Sequence, residues 1–389
     1  MVVAAMSGGV DSSVAAALLL EQGYRVIGVT MNLWPRKSMV EADTRHDICC
    51  SLESVDDARR VAGKLGIPHY TLNVRDVFDR EVVRNFLAEY VRGRTPNPCI
   101  RCNRFVKFDA LLARALTWGA SYVATGHYAR VECSPRGRYL LKRASYAAKD
   151  QSYALYSLSQ QQLAHTLFPL GGMEKSETRR IAEELGLATA GKPDSQELCF
   201  VPDGDYPRFI SQQVPTAAIR GPIRNLQGEV LGTHPGIAFF TVGQRKGLGI
   251  TASKPLYVVE LLPEENTVVV GEEEELYSRG LLAGDANWIA VERPDGPMRV
   301  KAKIRYRSAD VPAIATTDAD GCVRIEFDEP QRAVSPGQAV VLYDGDAVVG
   351  GATIVRAISS QPGTRRWKCE VSTLVYSSPA TARVLRAES

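Results

Sequence analysis

The first third of the chain switches repeatedly between short apolar runs and amphipathic stretches, and this alternation constrains the fold more than any other feature. "MVVAAM" (residues 1–6) has the length and apolarity of a buried strand, and "SSVAAALLLEQG" (12–23) follows as a helix that Gly23 closes. "RVIGVTMNL" is a second strand. "SLESVDDARRVAGKLG" opens on a Ser51–Ser54 cap region and places Val55, Ala58, Val61, Ala62 and Leu65 on one helical face. "PHYTLNV" is a third strand, helices run through "REVVRNFLAEYVRG" and "KFDALLARALTWG", and "SYVATGHYA" is another strand. Repeated βα units predict an α/β fold with a doubly wound parallel sheet and a ligand site at the carboxyl ends of its strands.

The pattern changes after "EKSETRRIAEELGL". From about Asp205 the sequence is rich in Gly and Pro, with short runs such as "LYVVELL" and "NTVVVG". From about Asn287 it is nearly all strand-like ("MRVKAKIRYR", "CVRIEFD", "QAVVLYDGDAVVGGATIV", "WKCEVSTLVY"), which predicts a small β-barrel. The expected organisation is a nucleotide-binding catalytic domain over 1–205, a small central connecting domain over 206–285 and a C-terminal β-barrel over 286–389. A length of 389 residues supports two or three such cores. Internal repeats and low-complexity linkers are not evident.

Composition bounds the class. The longest apolar run, "VAAALLL" (14–20), is far too short to span a bilayer, and no basic segment precedes an apolar core at the N-terminus. Eight cysteines in a chain of this length fit a reducing cytoplasm better than a secreted disulfide scaffold, so a cytoplasmic protein is expected. A net charge of +3 says little, but its distribution is uneven. Arg84, Arg92, Arg94, Arg101, Arg104, Lys107 and Arg114 face only Glu89 and Asp109 in their stretch, and residues 130–149 are also basic. Acid gathers elsewhere, notably at Glu272–Glu275. A polyanionic partner held through phosphates and ordinary solvated helix faces both fit this pattern.

"AMSGGVDSS" (5–13) lies between the first strand and the first helix. Its two glycines let backbone N–H groups turn in on a phosphate, the helix N-terminus adds its positive end, and Ser7, Ser12 and Ser13 add hydroxyls. Asp11 would repel phosphate unless Mg²⁺ bridged the carboxylate and a pyrophosphate. No Gly-Lys-Ser/Thr ending follows, so the loop is not a Walker A motif.

SGGVDSS resembles the ATP loop of the N-type ATP pyrophosphatases, whose members join AMP to a substrate oxygen and displace it with nitrogen or sulfur. Together with "RTPNPCIRCNRFVKF", "YVATGHYAR", "KDQSYALYSLSQ", "DSQELCF", "TVGQRKGLGI", "IRYRS" and "SPGQAVVLY", it is similar to the bacterial tRNA-specific 2-thiouridylases across nearly the whole chain. The resemblance implies an adenine nucleotide alpha hydrolase-like sheet and an ATP- and Mg²⁺-dependent synthesis of 2-thiouridine at the wobble position, U34. It implies ATP contacts from Ala5, Met6, Ser7, Gly8, Gly9, Val10, Asp11 and Ser12, with Met31 and Gly126 at the adenine. It also implies that Cys199 carries sulfur as a persulfide and that Cys102 is its partner, closing a Cys102–Cys199 disulfide after transfer. Arg101 and Arg104 would favour the Cys102 thiolate.

Cys99 stands where some relatives carry Asp. Two readings stay open: a proton or thiol relay, or a third ligand, with Cys102 and Cys199, of a [4Fe-4S] cluster whose open iron would bind hydrosulfide. Structural zinc would want four ligands. Cys49 and Cys50 read as structural or incidental, and Cys133, Cys322 and Cys369 as ordinary buried or loop residues.

On the RNA side, the target base must leave the anticodon stack to meet ATP. The resemblance assigns it to the loop Thr95–Pro98, with Asn97 and Pro98 at the base, and gives further tRNA contacts to His127, Lys149, Asp150, Gln151, Arg305, Tyr306 and Gln338. Taken alone, His127 also reads as a hydrogen-bonded strand-end histidine. The implied partners are the tRNAs for Lys, Glu and Gln and a cysteine desulfurase or sulfur-relay protein, with no membrane, and a monomer is expected. A GMP or NAD synthetase would need neither paired cysteines nor a barrel, and a non-catalytic RNA-binding protein would not need the intact loop with Asp11.

Overall fold

The computed structural model describes residues 1–33, 52–193, 198–201 and 203–358. Cys49, Cys50, Cys369, Ser51 and most of "DSQELCF" lie outside the described residues.

The expected parallel sheet is present. β1 (Val2–Ala5), α1 (Val10–Glu21), β2 (Val26–Asn32), α2 (Leu52–Leu65), β3 (His69–Asn73) and β4 (Tyr122–Ala124) form its main units. The sheet order is β3-β2-β1-β4 followed by the short strand Thr166–Leu167, and every pairing is parallel. Alternation along β1 explains why helices cover both faces. Val2 and Ala4 pack with Val14, Leu19, Ala58 and Val61, whereas Val3 and Ala5 pack with Leu111, Leu112 and Ala115 on the other side. Each fully buried Val or Leu contributes roughly 1.5–3 kcal/mol. The chain leaves β1 toward β2 on one side and later returns to β4 on the other. The carboxyl ends of β1 and β4 therefore flank a topological switch point, where α/β sheets bind ligands.

The cysteine pair sits on a helix rather than in a loop. That helix starts at Pro98, upstream of the expected "KFDALLARALTWG", and runs to Thr117 through a wide π-helical stretch at Cys102–Ala110. A second π-helical turn, Asp79–Val83, interrupts the helical run that precedes it. Such turns give each hydrogen-bonded ring one extra residue and often mark functional positions.

The barrel closes with six antiparallel strands. Tyr277–Trp288 pairs with Val323–Arg332, which pairs with Val311–Thr317, then Met298–Lys303, Ala339–Asp344 and Ala347–Ile358; the last returns to Tyr277–Trp288. The boundary drawn at residue 286 thus cuts the first barrel strand, which begins at Tyr277. Between sheet and barrel lies a four-stranded sheet of Tyr257–Leu262, Thr267–Gly271, Gly221–Arg224 and Val230–His234.

A hairpin of Ala129–Cys133 and Tyr139–Arg143, unforeseen in the sequence, joins the barrel sheet through the Ala347–Lys142 pairing. Arg138 fastens it. Its guanidinium donates to the carbonyls of Trp288, Ile289 and Val291 at 2.6–3.0 Å. Arg143 adds an ion pair to Asp310 at 2.8 Å and lies 3.6 Å from the Tyr343 ring centroid. Arg138→Met leaves three carbonyls without their charged donor, at a cost of about 2–4 kcal/mol. A fall of several degrees in the thermal midpoint, with earlier proteolysis at the hairpin, is the expected outcome.

Candidate active site

The phosphate loop is preorganised by its own side chains. Ser12 Oγ accepts from the Ser7 N–H at 3.1 Å and donates to the Gly9 carbonyl at 3.1 Å; Ser13 Oγ donates to the same carbonyl at 2.8 Å. Those hydroxyls shape the turn rather than stand open. Gly8 has φ +73°, and a Cβ there would meet the Ser54 carbonyl at 2.3 Å, so the turn needs glycine twice over. Ala5, Met6 and Val10 are buried, with Met6 packed against Gly28, which leaves the backbone as their contribution to a ligand. Gly126 lies just beyond β4, and a Cβ there would sit 2.6 Å from the Ser12 nitrogen. Close packing on the loop is what this position requires. Met31 is half-buried on β2.

Asp11 is held by two donors. Lys175 Nζ lies 2.7 and 2.8 Å from its two carboxylate oxygens, and the Tyr128 phenol donates to Oδ1 at 2.8 Å. Tyr128 is 2% exposed and lies 3.0 Å from Thr178 Oγ1. Its backbone is clamped at both ends by Gln151, whose N–H donates to the Tyr128 carbonyl at 2.9 Å and whose Oε1 accepts from the Tyr128 N–H at 3.0 Å. Neither Lys175 nor Tyr128 stood out in the sequence. One available signal was a lysine in the first turn of a helix, Lys175–Glu184, where the macrodipole disfavours a cation. A single hard carboxylate facing a phosphate site suits Mg²⁺, which takes few protein ligands and completes its shell with water and phosphate.

The cysteines divide between two surroundings. Asn97 caps the helix: its Oδ1 accepts from the N–H of Cys99 at 3.2 Å and of Ile100 at 3.4 Å, with Pro98 at the first helical position. That leaves only the Asn97 amide Nδ2 for a base. Cys99 is exposed at this positive helix end, within electrostatic reach of Tyr306. Cys102 and Cys199 instead border one apolar cluster built on Phe78, Phe86 and Phe200. Both side chains thus pack against the same cluster although they lie far apart in sequence. Both are thiols here rather than disulfide partners. Among the described residues no three His, Cys, Asp or Glu side chains gather closely enough to hold a metal ion, so Cys99, Cys102 and Cys199 as arranged do not fit an iron–sulfur cluster. Arg101 is ion-paired to Glu81 at 3.0 Å, and Arg104 approaches Asp285 at 3.9 Å. Their positive charge is therefore partly offset before it reaches Cys102.

Several residues assigned to RNA are engaged inside the protein. Asp150 is buried and accepts from Ala144 N, Ser152 N and Ser152 Oγ. Arg305 donates to the Ala333 carbonyl at 2.6 Å and Ser335 Oγ at 2.9 Å, and Gln338 Nε2 donates to the Thr95 carbonyl at 3.0 Å. Gln338 thereby braces the Thr95–Pro98 loop, and Arg305 braces the Ala333–Ser335 turn. Tyr306 keeps an exposed ring, with Lys303 Nζ 5.9 Å from its centroid; burial and then the Asp150 carboxylate push its phenol up, so it remains a neutral donor. Lys149 ends a short turn beside Asp150. A cavity of about 310 Å³ opens behind the cysteine helix, lined by Asn97, Arg101, Arg104, Tyr156, Ser157 and Asp285.

His127 is half-buried between the rings of Phe108 and Phe168, with Nδ1 2.7 Å from Thr125 Oγ1. Burial, then Lys107, hold it well below the ordinary 6.5. The unfolded chain therefore binds a proton below pH 6.5 that the folded chain refuses, and stability falls as pH drops through that range. His127→Asn should flatten this part of the stability profile, read as denaturation midpoints between pH 7 and 5. Asn97→Ala should cost about 1 kcal/mol through the lost cap, with Asn97→Ser retaining most of it.

Residues 1–203 match the family described as tRNA methyl transferase HUP domain, 207–272 the tRNA methyl transferase PRC-barrel domain and 278–354 the aminomethyltransferase beta-barrel domain. A tRNA-specific 2-thiouridylase MnmA of Symbiobacterium thermophilum is 55% identical over 92% of this chain and 93% of its own. Those of Heliobacterium modesticaldum and Acetivibrio thermocellus are 56% and 54% identical, over 91% of this chain and 92% and 98% of theirs. Identity at this level along nearly the full length of each relative, on a sheet with its phosphate loop at the switch point, places the chain in the tRNA-specific 2-thiouridylase family.

Proposed function

We propose that this chain is an ATP-dependent sulfurtransferase that thiolates tRNA, converting the wobble uridine U34 to 2-thiouridine. The observation that carries the reading is near-full-length identity to relatives named for this activity, and the packing of Cys102 and Cys199 against one apolar cluster supports it. In this reading the loop Ala5–Ser12 binds the ATP phosphates and Asp11 holds Mg²⁺, which would offset charge on the departing pyrophosphate. Met31 and Gly126 border the adenine. Tyr306, Lys149 and the Asn97 amide face the RNA, whereas Asp150, Gln151, Arg305 and Gln338 act by positioning the segments around them. The tRNAs for Lys, Glu and Gln are the substrates.

The chemistry follows from leaving-group ability. Uridine O2 attacks the α-phosphorus; the bond to the β-phosphate oxygen breaks, pyrophosphate leaves with the electron pair, and the N3 proton passes to solvent. The terminal sulfur of a Cys199 persulfide, an anion, then attacks C2 and expels AMP. The Cys102 thiolate attacks the Cys199 sulfur, the C2-bound sulfur keeps the electrons of the broken S–S bond as the thiocarbonyl, and a Cys102–Cys199 disulfide remains. An external thiol reductant reopens it, and a cysteine desulfurase or relay protein reloads Cys199. Cys99, exposed at the helix N-terminus, serves as the proton or thiol relay.

Asp11→Ala and Cys199→Ser should each abolish 2-thiouridine, measured by mass spectrometry of digested tRNA. Asp11→Ala should also stop tRNA-dependent AMP formation, whereas Cys199→Ser should still form it. Normal thiolation by Cys199→Ser would overturn the sulfur route.

A further inference from the structure

We propose that Tyr128 is a positioning residue that couples the two ligands of this site. It orients the Asp11 carboxylate and ties it to the segment 149–151, so that RNA held by that segment and nucleotide held by the phosphate loop each strengthen the binding of the other. The inference rests on the ATP and tRNA reading and adds the link between its two halves.

Three observations carry it. The Tyr128 phenol has one proton and an ionised carboxylate only accepts, so its 2.8 Å contact to Asp11 Oδ1 is a charge-assisted bond that the phenol donates. The Thr178 hydroxyl, 3.0 Å from the phenol oxygen, steadies it from another side. At the backbone, the Gln151 N–H donates to the Tyr128 carbonyl at 2.9 Å and the Tyr128 N–H donates to Gln151 Oε1 at 3.0 Å, so residue 128 cannot shift without residue 151. Tyr128 also follows His127 directly, and it thereby joins both segments that the resemblance assigns to RNA. Its ring is 2% exposed and belongs to the same apolar cluster as Val14 and Ala15 of α1, the helix whose first turn carries Asp11. A residue that only filled this core would need the ring but not the hydroxyl.

The segment is stiff up to the residue that faces RNA in this reading. The Lys149 N–H donates to the Tyr146 carbonyl at 3.2 Å, and Asp150 accepts from Ala144 N at 3.0 Å and from Ser152 Oγ at 2.8 Å. RNA held at Lys149 therefore restrains Gln151, Gln151 restrains Tyr128, and the phenol narrows the orientations open to the carboxylate. The first ligand bears the ordering cost and the second meets a site already ordered, which is positive coupling without a change of shape. Linkage makes the factor the same in both directions.

The test is the affinity for the magnesium complex of α,β-methylene-ATP, which cannot transfer AMP, with and without a saturating unmodified transcript of the tRNA for Glu. Titration calorimetry is run on the wild type, Tyr128→Phe and Gln151→Leu, and thermal midpoints confirm that each chain folds. The affinity for tRNA with and without the analogue closes the cycle. RNA should tighten nucleotide binding at least about fivefold in the wild type, and the factor should fall below about twofold in both variants. Tyr128→Phe keeps the ring and its packing, so a core-filling role leaves the factor intact. An unchanged factor in either variant would overturn the proposal. Equal nucleotide affinities with and without RNA, in a wild type that binds both ligands, would overturn it while leaving the ATP and tRNA reading in place. A wild type that binds neither ligand would overturn that reading and this proposal together.

Discussion

Thr95 is the point at which the parts of this molecule are tied together. Its N–H donates to the Pro336 carbonyl at 2.8 Å, its carbonyl accepts from Gln338, and its hydroxyl lies 3.3 Å from Thr241 Oγ1. Thr95, three residues ahead of the Pro98 start of the cysteine helix, is thereby bonded to the barrel and to the central segment. Gly337, at φ +89°, packs its Cα against the Thr95 backbone so closely that a Cβ would stand 2.8 Å from the Thr95 nitrogen. The position of Cys99 and Cys102 is thus set jointly by segments that are far apart in sequence. A barrel that looks like an appendage in the sequence is part of the site's frame.

A second line of contacts runs through the other half of the site. Gln151 grips the Tyr128 backbone, Tyr128 reaches Asp11, and Asp11 sits in the first turn of α1. Asp150 next to Gln151 is buried in a network of its own with Ala144 and Ser152. The segment 149–151, which the resemblance assigns to RNA, is therefore fastened to the phosphate loop by a tyrosine that is almost fully enclosed. Any displacement of Gln151 would be felt at the carboxylate through a stiff aromatic ring rather than a flexible chain.

Much of the fold was legible in the sequence because strand and helix periods differ and β1 is apolar on both faces. The loop was legible because two glycines after a strand and before a helix have few other uses. What stayed hidden has a common physical cause. The roles of Arg305, Gln338 and Asp150 depend on which carbonyls and amides lie nearby in space, and a one-dimensional pattern carries no such information. The hairpin at 129–143 reads as a local feature, yet its pairing partner is Ala347. Lys175 was concealed in an otherwise ordinary amphipathic helix, and the cap by Asn97 competes with the base-reading role that its side-chain chemistry also permits.

The two π-helical turns carry a further consequence. The Arg101–Glu81 ion pair links the shorter one to the residue just before the longer one, which begins at Cys102 and lies between Cys99 and Leu111, Leu112 and Ala115, which pack on the parallel sheet. Every widened ring spends an extra residue on the same advance, so the two ends of this helix are angularly out of phase with an ordinary one. Its sheet-packed end and its thiol-bearing end can therefore face directions that a uniform helix of the same sequence could not satisfy together. The aim of the thiols is written into the pitch of the backbone, independently of the side chains that surround them.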